Sequence, residues 1–148
     1  FRLVRVASFF SRSLYFIVDE NGRRVGSIAR KHALYRPVYQ VRMEGFKRVQ
    51  LSQEVRMDNG FKDVIRFDGE GITVSGNLMG DDFAIQREGA QIASVQVRPA
   101  HNRVAYGIEL AGDETAPLAL GIVLTIMMLR NYDQLWVRGS ARRKMPSQ

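Results

Sequence analysis

The chain has 148 residues, the size of a single domain that buries about two-thirds of its unfolded surface. Hydrophobic residues make up 45% of the chain and charged residues 25%, which is typical of folded rather than disordered proteins. The absence of cysteine excludes disulfides and thiolate metal sites, and it fits a reducing compartment such as the cytoplasm. Because Arg2, Arg5 and Arg12 interrupt the apolar stretches near the start of the sequence, we expect no signal peptide there.

The net charge of +7 is unevenly distributed along the chain. Residues 1–66 contain 14 Lys and Arg against 6 Asp and Glu, whereas residues 67–133 contain 4 against 9. The last 15 residues add four further positive charges. A basic N-terminal half favours attraction to an anionic surface, either phospholipid or nucleic acid. It fits equally well with arginines that only solvate the outer faces of strands.

Short segments rich in β-branched and aromatic residues, separated by glycine turns, fill most of the chain. The Asn21-Gly22 pair between two apolar segments favours a hairpin with a type I′ turn, in which both residues have positive φ. The other turns are predicted at residues 44–45, 58–60, 68–71 and 88–89. The predicted strands are residues 14–18, 25–28, 38–43, 49–51, 55–57, 61–67, 72–76, 83–86, 92–97 and 104–110. So many short strands at this spacing predict an antiparallel sandwich or barrel.

The pattern changes after Thr115, where residues 116–129 are apolar on every side. Asp113 or Thr115 can cap a helix, and Pro117 fits its first turn. From Pro117 to Leu129 such a helix is about 20 Å long, against a hydrocarbon core about 30 Å thick. We therefore predict a helix near residues 116–132 that is surrounded by the protein's own sheet, with a membrane anchor as the alternative.

The predicted organisation is one domain followed by a tail. Residues 1–133 form the domain, in which a curled antiparallel sheet wraps the C-terminal helix. Residues 134–148 contain four Lys and Arg and no acidic residue, so we expect a basic C-terminal tail that remains in solvent.

Several motifs within the repeated hairpins resemble known families. Residues 72–77 (ITVSGN), 82–85 (DFAI) and 92–95 (IASV) resemble the LURP-one-related proteins. Residues 106–110 (YGIEL), with the apolar helix behind them, resemble the phospholipid scramblases. Both families belong to the tubby C-terminal-like superfamily. The resemblance covers roughly Phe9 to Asp133 and implies a closed antiparallel β-barrel of about twelve strands around the buried C-terminal helix.

The resemblance also carries functional expectations. Tubby domains bind phosphoinositides through basic side chains, and scramblases have a calcium-linked acidic segment before the helix. The matching segment here, residues 109–114 (ELAGDE), lacks the longer run of alternating acids. A calcium site is therefore not predicted.

No group of residues predicts catalysis. His32 and His101 lie in predicted loops, and no serine has the context of a nucleophile elbow. Asp113 and Glu114 are better explained as residues that cap the helix than as paired catalytic carboxylates. We therefore expect a non-enzymatic protein that uses neither a cofactor nor a metal ion.

The basic clusters are the strongest functional signal in the sequence. If the strand ends gather at one rim of a barrel, each basic residue there would attract an anionic headgroup by about 1 kcal/mol. The competing interpretation is that consecutive strand residues point to opposite faces and do not cooperate. Nucleic acid is a less favoured ligand, because Tyr15, Phe16 and Tyr39 are predicted to be core rather than a stacking surface. The predicted ligand residues are Arg23, Arg24, Arg30, Lys31, Arg36, Lys47 and Arg48.

The sequence thus predicts a binding module for anionic phospholipid headgroups, cytoplasmic and peripheral at the inner face of the membrane. Two alternatives stay open. One is a cytosolic protein-interaction or scaffold domain, and the other is scramblase-like lipid translocation with the C-terminal helix in the bilayer. Extraction without detergent would fit the first two functions, and a requirement for detergent would fit the third.

Overall fold

The computed structural model describes residues 2–6, 13–31, 36–57, 61–76, 82–101 and 103–143, with helix side chains described as far as Arg130. These residues form ten strands and one helix, so the mainly β prediction is confirmed. The elements are β1 (Arg2–Val6), β2 (Leu14–Val18), β3 (Arg24–Lys31), β4 (Val38–Met43), β5 (Val49–Met57), β6 (Phe61–Asp68), β7 (Ile72–Gly76), β8 (Asp82–Arg87), β9 (Ala90–Ala100), β10 (Arg103–Leu110) and α1 (Ala116–Arg143).

The strands pair into two antiparallel sheets, in which neighbours in sequence are also neighbours in space. Sheet one contains β1 to β6 in chain order, and sheet two contains β7 to β10 in chain order. Such meanders follow from the tight glycine turns, because an antiparallel pair needs only a short connection. The observed pairing joins strands within each sheet. Closure of the sheets into one barrel, with about twelve strands, stays a prediction.

Most strands lie where the sequence predicts them, with two differences. The predicted segments 49–51 and 55–57 form one continuous strand, β5, since the intervening residues keep their pairing with β6. Strand β1 was not predicted, because its sequence RLVRV is short and has no turn signal beside it. It forms by pairing along β2, from Arg2 opposite Val18 to Val6 opposite Leu14. The predicted turn at residues 58–60 lies outside the described residues.

The core lies between the helix and the inner faces of both sheets. Helix α1 contacts β3 and β4 of sheet one and β9 of sheet two. Leu118, Ile122, Ile126 and Leu129 are at most 1% exposed, so this face of the helix is buried in the core. The opposite face, with Leu120, Leu124 and Met127, is half-buried, and complete enclosure of the helix by the sheets stays a prediction. The buried hydroxyl of Thr125 donates to the Gly121 carbonyl at 2.8 Å, so burial leaves that polar group satisfied.

The helix begins as predicted and extends further than predicted. Thr115 precedes its first residue, and the Thr115 carbonyl accepts a hydrogen bond from the Ala119 N–H at 3.0 Å. The helix ends at Arg143, beyond the predicted end near residue 132. Whether residues 134–148 act as a basic tail stays a prediction. Within the described part of the chain, no helix has both the length and the apolar content needed to cross a membrane.

Gly121 allows the helix to approach β4 closely. A methyl group at this position would lie 2.8 Å from Met43 Sδ and 3.0 Å from Val41 Cγ1. Overpacking of this kind costs about 1–3 kcal/mol, and the better helix propensity of alanine offsets about 1 kcal/mol of that cost. We therefore expect Gly121→Ala to lower the free energy of unfolding by about 1 kcal/mol in urea denaturation.

Gly112→Ala is the matched control, because open space surrounds Gly112 and its backbone does not require glycine. We expect this variant to unfold at the same urea concentration as the wild type. If Gly121→Ala were as stable as Gly112→Ala, the close packing of α1 on β4 would be wrong.

Candidate functional site

The seven predicted ligand residues do not gather at one rim. Arg23 and Arg24 lie at the start of β3, whereas Arg30 and Lys31 end it. At about 3.3 Å per residue, roughly 23 Å of strand separates Arg24 from Lys31. The expectation of a single basic rim is therefore wrong, because the two clusters occupy opposite ends of the same extended strand.

The remaining three residues divide between the same two ends. Lys47 and Arg48 lie in the turn between β4 and β5, at the end of sheet one where β3 begins. Both are exposed. Arg36 lies just before β4, at the opposite end, where Lys31 pairs with Val38. Arg36 is half-buried.

Arg23 and Arg24 make separate contacts, in agreement with the interpretation that consecutive residues do not cooperate. The Arg23 guanidinium lies 3.0 Å from Glu44 Oε2 and 3.5 Å from Asp19 Oδ2, so two carboxylates already neutralise it. Arg24 lies on the outer face, with its Cζ 4.0 Å from the centroid of the Phe16 ring. Phe16 is therefore an outer-face residue and not the predicted core residue.

The turn that holds Arg23 differs from the predicted type I′ turn. Positive φ is found at Gly22 (+79°) and not at Asn21. The Asp19 carboxylate accepts hydrogen bonds from the backbone N–H groups of Asn21 and Arg23, at 3.0 and 2.9 Å. The bond from the Arg23 N–H is the main reason that the pKa of Asp19 is below its usual value. Consecutive positive φ angles occur instead at Glu88 and Gly89, and also at residues 69–71.

Glu70 joins the turns at this end of the molecule. Its side chain is 8% exposed and accepts hydrogen bonds from the Lys47 backbone N–H and from the Arg87 guanidinium, whose Nη2 lies 2.7 Å from Glu70 Oε2. Arg87 also lies over the Phe46 ring, 5.3 Å from its centroid. The Lys47 N–H, and then Arg87, hold the pKa of Glu70 below its usual value of 4.5, although burial acts in the opposite direction.

An open cleft of about 680 Å³ surrounds this carboxylate, lined by residues 45–47, 70–71 and 87–88. Its charged residues are Lys47 and Arg87 against Glu70 and Glu88, so positive and negative charges are balanced. A balanced cleft has no net attraction for an anion. The contacts of Glu70 instead tie three turns together, and we interpret its role as structural.

The other end of β3 places its two predicted residues on opposite faces. Alternate residues of a strand share a face, and Ile28, Val41 and Leu51 are buried in the core. Arg30 lies on this inner face with Ile28, is half-buried, and donates its backbone N–H to the Ser13 carbonyl at 2.8 Å. Lys31 therefore lies on the outer face, where it is exposed.

The outer face of sheet one gathers exposed cations from four strands. Its described side chains include two acids, Glu54 and Asp68, of which Glu54 pairs with Arg66 at 3.4 Å. On the outer face of sheet two, the described charged residues are Arg98, Asp82 and Glu109. Positive charge is thus concentrated on one sheet. We call this surface the basic face; its exposed cations are Arg2, Arg24, Lys31, Arg42 and Arg66.

Of the predicted ligand residues, the basic face contains Arg24 and Lys31. Sequence reasoning missed Arg2, Arg42 and Arg66, since each stands alone in the sequence and not in a cluster. The alternation of side chains between the two faces of a strand could have identified Arg42. It alternates with the buried residues Val41 and Met43, which places it on the opposite face from the core.

The described residues contain no group of three or more His, Asp or Glu side chains that could hold a metal ion. His101 is exposed in the turn after β9, and His32 lies outside the described residues. The chain matches no protein-family model, no curated protein and no solved structure. The resemblance to the LURP-one-related proteins and to the scramblases therefore stays a prediction.

The role of Glu70 can be tested through stability and its pH dependence. We expect Glu70→Gln to lower the free energy of unfolding at neutral pH by about 1 kcal/mol, because the Lys47 N–H and the Arg87 guanidinium lose a charged acceptor. Since the folded pKa of Glu70 is below its unfolded value, its contribution is complete above pH 4.5 and is lost as the pH falls through the folded pKa. Urea denaturation at several pH values measures both effects.

Glu20→Gln is the control, because Glu20 is exposed in the turn between β2 and β3. This variant should unfold like the wild type at each pH. A stability difference for Glu70→Gln that grew as the pH fell below 4.5 would contradict the assigned role.

Proposed function

We propose that the protein is a non-enzymatic module that binds anionic phospholipid headgroups at the cytoplasmic surface of a membrane, through the basic face. The observation that carries this proposal is the segregation of charge between the two sheets. The basic face presents five exposed cations and two acids, whereas the described outer face of sheet two has one cation and two acids. A surface with this bias attracts an anionic bilayer and orients the protein on it.

The ion pairing of the individual basic side chains also favours the basic face as the binding surface. Lys31 and Arg42 have no ion pair with any described residue, and both are exposed. Arg23, by contrast, already has two carboxylate partners, and Arg87 is bound to Glu70. Cations without a partner in the protein lose least when they approach a headgroup, since no existing ion pair must break.

The two alternative functions are less well supported. Scramblase-like translocation would require apolar helix residues such as Ile122 and Ile126 to face lipid, but both are fully buried between the sheets. A protein-interaction domain would usually present an apolar patch. The large hydrophobic residues that are exposed in the described part of the chain are Met57 and Leu110, at the ends of β5 and β10.

Co-sedimentation with liposomes tests the proposal. We expect binding to vesicles that contain phosphatidylserine, no binding to neutral phosphatidylcholine vesicles, and release as salt is raised. Lys31→Glu combined with Arg42→Glu should weaken binding at least 25-fold. Each basic residue removed costs about 1 kcal/mol of binding free energy, which is about a fivefold loss of affinity.

The control is Arg48→Glu combined with Arg98→Glu, which makes the same change in net charge outside the basic face. We expect this variant to retain most of the binding. Equal loss in the two variants would mean that net charge and not the basic face is responsible. Equal binding of the wild type to neutral and anionic vesicles at low salt would disprove headgroup binding, and a search for a protein partner would follow.

A further inference from the structure

The hairpin formed by β5 and β6 extends beyond the pairing of the other strands in sheet one. Strand β5 pairs with β4 as far as Ser52, which lies opposite Val38. Pro37 precedes Val38 and has no N–H with which to continue that ladder. Strand β5 pairs with β6 for five further residues, or about 16 Å, until Met57 lies opposite Phe61. We call this extension, residues 53–57 and 61–65, the hairpin arm.

The tip of the hairpin arm is apolar although the core does not cover it. Met57 belongs to the same alternating row of β5 as Leu51, which is fully buried. Met57 itself is 82% exposed, the greatest exposure among the large hydrophobic residues of the described chain. Its register partner is Phe61, so the last ladder position of the arm carries two large apolar residues. Removal of such residues from water is favourable wherever an apolar environment is at hand.

The next ladder position of the arm carries two basic residues. Arg56 lies directly opposite Lys62 in the register, and alternation along β6 assigns this pair to the same face as Arg66. The basic face therefore continues onto the arm. Like charges at directly opposed positions destabilise a pair of strands, and an anion bound between them would reduce the repulsion.

The end of sheet one that carries the arm is more positive than the opposite end. Residues 30–38 and 52–66, which include the end of β3, the start of β4 and the arm, contain six Lys and Arg against three Asp and Glu. At the opposite end, residues 19–24, 44–48 and 68–71 contain four against five. An anionic bilayer therefore attracts the end with the arm most strongly and orients the tip towards itself.

We propose that the hairpin arm enters the interface of an anionic bilayer, with Met57 among the lipid chains and the Arg56–Lys62 pair at the level of the phosphates. This inference rests on the proposed function and adds the point of insertion to it. Charge attracts the protein to the surface, and burial of the apolar tip then adds affinity that charge alone does not supply.

A fluorescent probe at position 57 tests the insertion directly. Because the chain has no cysteine, Met57→Cys can be labelled at one site with an environment-sensitive nitrobenzoxadiazole group. On phosphatidylcholine vesicles that contain phosphatidylserine, we expect a blue shift of the emission and quenching by phosphatidylcholine spin-labelled on its acyl chains. Leu110→Cys is the matched control, because Leu110 is also an exposed large hydrophobic residue and lies on sheet two. Its emission should not change.

Binding of unlabelled variants to the same vesicles gives a second measurement. Met57→Asp should weaken binding about tenfold or more and should leave the urea midpoint unchanged, since this exposed side chain contributes little to the core. Leu110→Asp should bind within about twofold of the wild type. Arg56→Gln combined with Lys62→Gln should weaken binding about 25-fold and unfold at an equal or higher urea concentration.

Three results would overturn the insertion: binding of the protein without a blue shift at position 57, equal blue shifts at positions 57 and 110, or equal binding of Met57→Asp and the wild type. The proposed function would survive each of them, since the basic face could still bind headgroups from outside the interface. Failure of the wild type to bind the anionic vesicles would instead defeat the proposed function, and the insertion with it.

Discussion

The structure depends on the burial of one apolar helix segment. Residues Leu118 to Leu129 cannot face water on any side at low cost, because a fully buried aliphatic side chain contributes about 1.5–3 kcal/mol. A single sheet covers one side of a helix. Contacts of α1 with β3 and β4 of sheet one and with β9 of sheet two bury most of this segment, and they hold the two sheets to a common core.

Burial of the helix also determines which face of sheet one is left for the basic side chains. The inner face of sheet one is occupied by core residues such as Ile28, Val41 and Leu51. Most of the 14 basic residues among residues 1–66 must therefore lie on the outer face, in turns or at strand ends. One of those in turns, Arg23, pairs with the carboxylates of Asp19 and Glu44. On the outer face, Arg42 is exposed and has no ion pair with any described residue, whereas Arg66 pairs with Glu54.

Much of the fold could be predicted from local sequence. Gly22, Gly45 and Gly89 adopt positive φ in turns that the sequence marks, and the helix begins directly after Thr115. Strand β1 could not be predicted, because a five-residue strand at the edge of a sheet is defined by its partner and not by its own pattern. Phe16 was wrongly assigned to the core because Tyr15, Phe16 and Ile17 are all apolar, and only pairing decides which of them face inward.

The sequence by itself determined that residues 1–66 are basic, that the chain forms hairpins, and that one apolar helix needs covering. These properties come from composition and from neighbours close in the chain. Only the tertiary structure decided which cations share a surface. Arg66 reaches the face of Lys31 through the pairs Lys31–Val38, Val38–Ser52 and Ser52–Arg66, whereas Arg30, one residue away, faces the core. A shift of one residue in that register would exchange the two faces, so no local pattern could place these charges together.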